Sequence, residues 1–195
     1  MAERQMITSV DESRPDHTMR YDLANKLLVQ HGLTRNVLDA GCGVGYGSHM
    51  MSEIVDEVTS VDISSDAYEY FKKHFAKPNI NYLNRSLLEL DRNREFDAVV
   101  CFEFIEHVTF AEEAVKLFGE LSDFLIISSP NELVRPWAAP PINPYHVRHY
   151  TPAELQELLA VGGFRVQSWY CQLSGSQPEI LEGNQGKFMI AVATK

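Results

Sequence analysis

Three glycines at alternate positions, Gly41, Gly43 and Gly45, follow the apolar run VLDA and make a loop in which backbone can approach a ligand directly. The helical pattern after them, YGSHMMSEIV, would aim backbone N–H groups toward whatever lies against that loop. Charge and spacing narrow the ligand. A dinucleotide fingerprint needs a further glycine where this chain has Tyr46, and it cradles a pyrophosphate. Asp39, immediately ahead of the loop, would repel a pyrophosphate and attract an ammonium group. About twenty residues on, where an acid commonly binds ribose hydroxyls, the run VTSVDIS ends in Asp62, whose two oxygens can accept both. The pattern asks for a ribose joined to a positive charge and disfavours a nicotinamide dinucleotide.

A second group of chemistry-bearing residues lies in FEFIEHV. Glu103 and His107 are four apart, the spacing that places two side chains on one side of a helical turn, with Glu106 between them. His107 titrates where a general base is useful, and a neighbouring carboxylate would orient it. With His146 from a later loop, the same residues also supply an O,O,N,N donor set for a divalent ion such as Mg or Mn. A third reading has Glu103 capping backbone, Glu106 solvated at a helix start and His107 packed under the loop. The residue types permit all three.

These residues need elements to hold them. Apolar periodicity predicts a helix over 21–30 stopped by Gly32, then strand 36–40, helix 45–54, strand 57–63, helix 66–76, strands 80–84 and 96–102, helix 110–121 and strand 124–129. Between the strands at 80–84 and 96–102, SLLELDRNRE has room for little more than a turn or two. TPAELQELLAVGG is a marked helix, with Thr151 as N-cap, Pro152 in the first turn, Glu154 completing a capping box and Gly162 at the stop. Strands 164–172 and 187–194 finish the chain around a Gly, Ser and Gln-rich connection that reads as a long flexible hairpin. Strands alternating with helices mean an α/β fold with a mostly parallel sheet covered on both faces. Residues 1–16 read as a mobile polar arm and 17–195 as one domain. The segment from Pro130 to Tyr150, rich in Pro and aromatic residues, is too long for a plain connection and is expected to cover a substrate.

A chain of 195 residues, 45% hydrophobic, suits one sizeable core. Its net charge of −10 argues against a broad nucleic-acid surface, which would need clustered Lys and Arg. Cys42, Cys101 and Cys171 form no C-x-x-C pair, which disfavours a disulfide framework or a cysteine-held zinc and fits a reducing, cytoplasmic setting. No apolar run reaches membrane-spanning length. Nothing in the pattern sets the oligomeric state.

The loop VLDAGCGVGYG with Asp62, together with HTMRY, FDAVVCFEFIEHV, SSPNE and NPYHVRHYTPAEL, resembles the class I S-adenosylmethionine-dependent methyltransferases, from about His17 to the C-terminus. It is most similar to a bacterial subgroup of glycan and natural-product pathways. The resemblance implies a Rossmann-like, mostly parallel seven-stranded sheet whose last strand is antiparallel. It implies that Asp39, Gly41 and Gly43 hold the methionine part of S-adenosylmethionine with Cys42 packed beside it, that Asp62 and Ile63 meet the ribose, and that Ser86 and Leu87 meet the adenine edge. Arg20 and Tyr21 would close over the methionine carboxylate, for which a planar guanidinium is suited; on residue type alone Arg20 is equally a surface arginine of an amphipathic helix. Glu103 would lie beside the transferred methyl. The implied activity is methylation of an oxygen or nitrogen of a small acceptor, a sugar, quinol-like compound or natural-product intermediate. E-x-x-E-H segments in some relatives hold a metal for catechols or RNA 3′ ends, which makes metal-dependent RNA methylation one alternative. The subgroup's basic Pro-Gly turn before the SSPNE strand is missing from LFGELSDFLIISSP, and shortened relatives can be non-catalytic binding subunits, which makes that another.

Overall fold

The computed structural model describes residues 5–93 and 95–195. Helix α1 (Pro15–His31) precedes β1 (Asn36–Ala40), and three strand–helix units follow: α2 (Tyr46–Met51) with β2 (Glu57–Asp62), α3 (Ser65–His74) with β3 (Ile80–Asn84), and β4 (Ala98–Cys101) with α4 (Ala111–Leu121). The chain continues through β5 (Phe124–Pro130), α5 (Pro152–Val161), β6 (Arg165–Gln172), β7 (Leu181–Glu182) and β8 (Phe188–Thr194). The sheet order is β3-β2-β1-β4-β5-β8-β6-β7. The strands from β3 to β5 run parallel, and β8 inserts antiparallel between β5 and β6. Strand order reverses between β1 and β4, where an open α/β sheet forms its ligand crevice outside the carboxyl ends.

Alternation along the strands divides the core in two, because successive side chains point to opposite faces. Val37, Val58, Val100 and Ile126 face α1, α2 and α3, packing with Leu28, Met51, Phe71 and Phe75. Leu38, Val99, Leu125 and Ile127 face α4 and α5, packing with Phe118, Leu155 and Phe164. On that second face the helices come very close, since a Cβ built on Gly119 would lie 2.0 Å from the carbonyl oxygen of Gly162. Helix α5 starts on the predicted capping box, Thr151 accepting from the Glu154 N–H while the Glu154 carboxylate accepts from the Thr151 N–H.

Three expectations are revised. Helix α1 begins at Pro15, so the polar arm ends before residue 16: Asp16 is fully buried and pairs with Arg20 one turn on, and a 3-10 turn covers Val10–Glu12 ahead of it. The first four residues of that arm lie outside the described ones. The sheet has eight strands where seven were expected, because two residues of the Gly, Ser and Gln-rich connection pair with β6 as β7, Leu181 opposite Cys171 and Glu182 opposite Tyr170. That segment contains little a core could bury, so composition hid the strand. Third, Ile105–His107 is a single 3-10 turn. Ser122 and Asp123 alone join α4 to β5, which is the shortening seen in the sequence.

From Asn131 to Tyr150 the chain forms an excursion without helix, pinched at its base by a bridge between those two residues and by the Glu132 N–H donating to the Tyr150 carbonyl at 2.9 Å. Among the described residues no helix is long and apolar enough to cross a membrane.

Candidate active site

A cavity of about 640 Å³ opens at the carboxyl ends of β1, β2 and β4. The glycine loop forms one wall. Gly41 has φ +76°, a conformation L side chains rarely adopt, and a Cβ there would come within 2.5 Å of the Phe104 ring. Glycine is therefore required by both backbone and space. The loop is tied to the next strand, for the Gly43 N–H donates to one carboxylate oxygen of Asp62 at 3.0 Å while the Ser64 N–H donates to the other at 2.8 Å. Asp62, Ile63, Gly41, Cys42 and Gly43 all line the cavity.

Asp39 sits one layer deeper, fully buried behind the loop and off the cavity wall. Its carboxylate accepts from the Ser48 hydroxyl at 2.6 Å and the Tyr21 hydroxyl at 3.2 Å, and Tyr21 in turn lines the cavity. Burial pushes the Asp39 carboxyl up to about 6, against the opposing pull of those two hydroxyls. Ser86 is also off the wall: its hydroxyl accepts from the Leu88 N–H and caps the short turn Leu87–Glu89, whereas Leu87 faces the cavity.

Arg20 is buried, 1% exposed, which removes the surface-arginine reading. Its guanidinium meets Glu103 at 2.8 Å and Asp16 at 3.1 Å, donates through Nε to Gln172 at 2.7 Å and lies over the Phe188 ring at 4.9 Å. Glu103 has φ +49°, uncommon for a residue with a side chain, and is held there by Ser128, whose hydroxyl accepts from the Glu103 N–H at 3.0 Å and donates to its carboxylate at 3.1 Å. Burial raises the Glu103 pKa, but Arg20 and then His17 outweigh it and hold the carboxyl below its ordinary value. His17 hydrogen-bonds with Tyr46 at 2.9 Å, and burial followed by Arg20 lowers its pKa to about 4.

Farther along the wall, Glu106, His107 and His146 place a carboxylate oxygen and two ring nitrogens all within 4.8 Å of one another. Glu106 is fully buried, and the His107 and His146 rings stand edge to face with centroids 4.6 Å apart. The excursion is stitched to this turn twice, by the Val147 N–H donating to the Glu106 carbonyl at 2.8 Å and by His107 Nδ1 against the Tyr145 carbonyl at 3.0 Å. Behind His146 stands His149, whose pKa burial lowers. Glu103 falls outside the trio, because its backbone turns the carboxylate to Arg20 and Ser128 before the 3-10 turn begins.

Sequence reading missed several residues of this wall. Phe104, Phe188, Arg135 and Lys187 line the cavity, and Gln172 supports Arg20 from β6. Phe104 could have been found from its place between Glu103 and Glu106. The others come from segments far away in the chain, and no local pattern marks them.

Residues 37–125 match a family described as "Methyltransferase domain". A "Probable S-adenosylmethionine-dependent methyltransferase" of Mycolicibacterium smegmatis is 29% identical over 176 residues, 88% of this chain and 68% of that protein. One of the same description from Mycobacterium tuberculosis is 31% identical over 151 residues, 74% of this chain, and the match spans only about half of it, 54% of its length. The crystal structure of magnesium protoporphyrin IX methyltransferase from Synechocystis with bound S-adenosylmethionine superimposes with a TM-score of 0.69 at 22% identity, covering 92% of this chain and 80% of that one. With the glycine loop, Asp62 and the strand order around one crevice, these matches support a class I S-adenosylmethionine-dependent methyltransferase.

Proposed function

We propose that the protein transfers the methyl group of S-adenosylmethionine to an oxygen or nitrogen of a small acceptor held beneath the 131–150 excursion. The observation that carries this is one continuous cavity lined by the glycine loop and Asp62 and also by His107, His146 and Tyr145. Methyl transfer from a sulfonium forms the new bond with the acceptor's lone pair, breaks the sulfur–carbon bond and leaves the electron pair on sulfur. The leaving group needs no proton, so the chain's task is to align the partners and exclude water. Asp62 takes the ribose, and Arg20, with Glu103 and Tyr21 beside it, takes the methionine end. The acceptor's proton goes to the imidazole of His107 or His146, which line the same cavity. Phe104, Phe110 and Tyr145 supply apolar surface that keeps the reacting atoms dry.

Glu106, His107 and His146 are also a fitting donor set for a divalent ion of the Mg or Mn kind, one carboxylate and two imidazoles, with Glu103 left to Arg20. Such an ion would lower the proton affinity of an acceptor hydroxyl.

The test is calorimetry of the isolated protein with S-adenosylhomocysteine, followed by transfer of labelled methyl to a panel of sugars, catechols and hydroquinones in chelator and in added Mg or Mn. Heat with the nucleoside and label in a product support the reading. Saturation by NAD with no heat from the nucleoside would overturn it, and binding without transfer to any acceptor or cell extract would leave a non-catalytic subunit. Turnover undiminished in chelator would remove the metal.

A further inference from the structure

His149 does not line the cavity, yet it is 5% exposed and its ring lies against His146. Its Nδ1 is 2.7 Å from the carbonyl oxygen of Arg135, and a carbonyl only accepts, so in the neutral ring Nδ1 carries the proton. The other nitrogen, Nε2, is then an acceptor. It stands 2.6 Å from His146 Nδ1, which must therefore be the donor, and the proton of a neutral His146 is fixed on Nδ1. His107 is fixed in the same way by a different partner, its Nδ1 donating to the Tyr145 carbonyl at 3.0 Å. Glu132 is 3.8 Å from His149 Nδ1, outside hydrogen-bond reach, and does not compete with the Arg135 carbonyl.

We propose that His149 is a positioning residue: the relay Arg135 carbonyl–His149–His146 locks the His146 tautomer so that Nε2 bears the lone pair, matching His107 across the Glu106 carboxylate. Two imidazoles with like tautomers can then take up a proton or a divalent ion at Nε2, and neither offers an N–H there. Histidines that serve as ligands are generally oriented by a partner on their second nitrogen. Here that partner is itself a histidine whose proton is committed elsewhere, which ties the chemistry of His146 to the backbone at Arg135. Both residues lie on the 131–150 excursion, so the relay exists only while that segment is folded as observed. The inference rests on the reading of Glu106, His107 and His146 as the acceptor-side chemistry.

The test uses long-range 1H–15N spectra of the full chain, with the histidines assigned by single substitutions, and Mn titrations followed by the electron spin resonance of the free ion. The wild type is expected to show protons on Nδ1 of His107, His146 and His149. His149→Phe is expected to release His146 toward the Nε2–H form and to weaken Mn binding 10–100-fold. His149→Gln, whose amide can donate to the Arg135 carbonyl and accept from His146, is expected to restore both. His149→Met serves if the Phe variant does not fold. An Nε2–H tautomer of His146 in the wild type, or an unchanged tautomer and Mn affinity in His149→Phe, overturns the proposal. A wild type that binds no Mn removes the metal reading alone, because the tautomer spectra still decide the role of His149.

Discussion

Asp39 offers a sharp test of how the donor half of the site is built. A fully buried carboxyl held near pKa 6 is costly to ionise, since two hydroxyl donors do not replace lost hydration. In the unfolded chain an aspartate has released its proton by about pH 4. Between about 4 and 6 the folded protein binds more protons than the unfolded chain, so this group makes stability fall as pH rises through that window and level off above it. The gap corresponds to about 3 kcal/mol lost at pH 7 from ionising Asp39 in place. Asp39→Asn keeps the shape, and its amide oxygen can still accept from Ser48 or Tyr21. Urea denaturation of the ligand-free protein at pH 5, 6, 7 and 8 is expected to show the variant equal to or up to about 3 kcal/mol more stable than wild type at pH 7, with the downward slope below pH 6 reduced. Affinity for S-adenosylmethionine, measured alongside, should fall, because a negative charge behind the glycine loop no longer attracts the cationic ligand. A variant less stable at pH 7 with an unaltered pH slope would refute the burial argument. Unaltered affinity would refute the electrostatic one.

Other expectations follow from single contacts. Arg20→Met leaves Glu103 without its buried cation, while Asp16 keeps Arg14 at 2.6 Å, and should cost about 3 kcal/mol in denaturation, while also weakening cofactor binding; unchanged affinity rejects Arg20 as a cofactor contact. Gly119→Ala drives a methyl into the Gly162 carbonyl and should destabilise by about 1–3 kcal/mol by overpacking, with nucleoside affinity measured below the melting temperature unchanged. Thr151→Ala removes the N-cap acceptor of α5 and should cost about 1 kcal/mol, read as a shift in urea midpoint at constant slope.

The central sheet was legible because β1 to β5 are short apolar runs punctuated by glycine and acids, and parallel strands buried on both faces need little else. That the glycine loop and Asp62 would lie together at the strand ends was legible for a related reason, as glycine and aspartate there answer to backbone geometry and charge. What escaped reading depends on distance in the chain. Nothing about Gln172 marks it as the residue that holds Arg20 from across the fold, and only the approach of β6 to α1 creates that role. Glu103 illustrates the opposite failure. Its spacing from His107 suggested a shared helical face, but a left-handed backbone at Glu103 and a tight 3-10 turn after it send the two side chains to different partners. His149 was visible as a residue of the loop, but its use required coordinates, because a histidine's tautomer is set by whichever acceptor reaches it.

The narrow neck between Asn131 and Tyr150 makes the segment it encloses a cassette. The Asn131 side chain donates to the carbonyls of Asn184 and Gly186, so the neck is fastened to the turn between β7 and β8 independently of what hangs from it. Grafts of different length or composition between those two residues would leave β5 and α5 in register, provided they keep the stitches at Tyr145 and Val147. The shape of the segment can thus be changed without disturbing the crevice at the glycine loop.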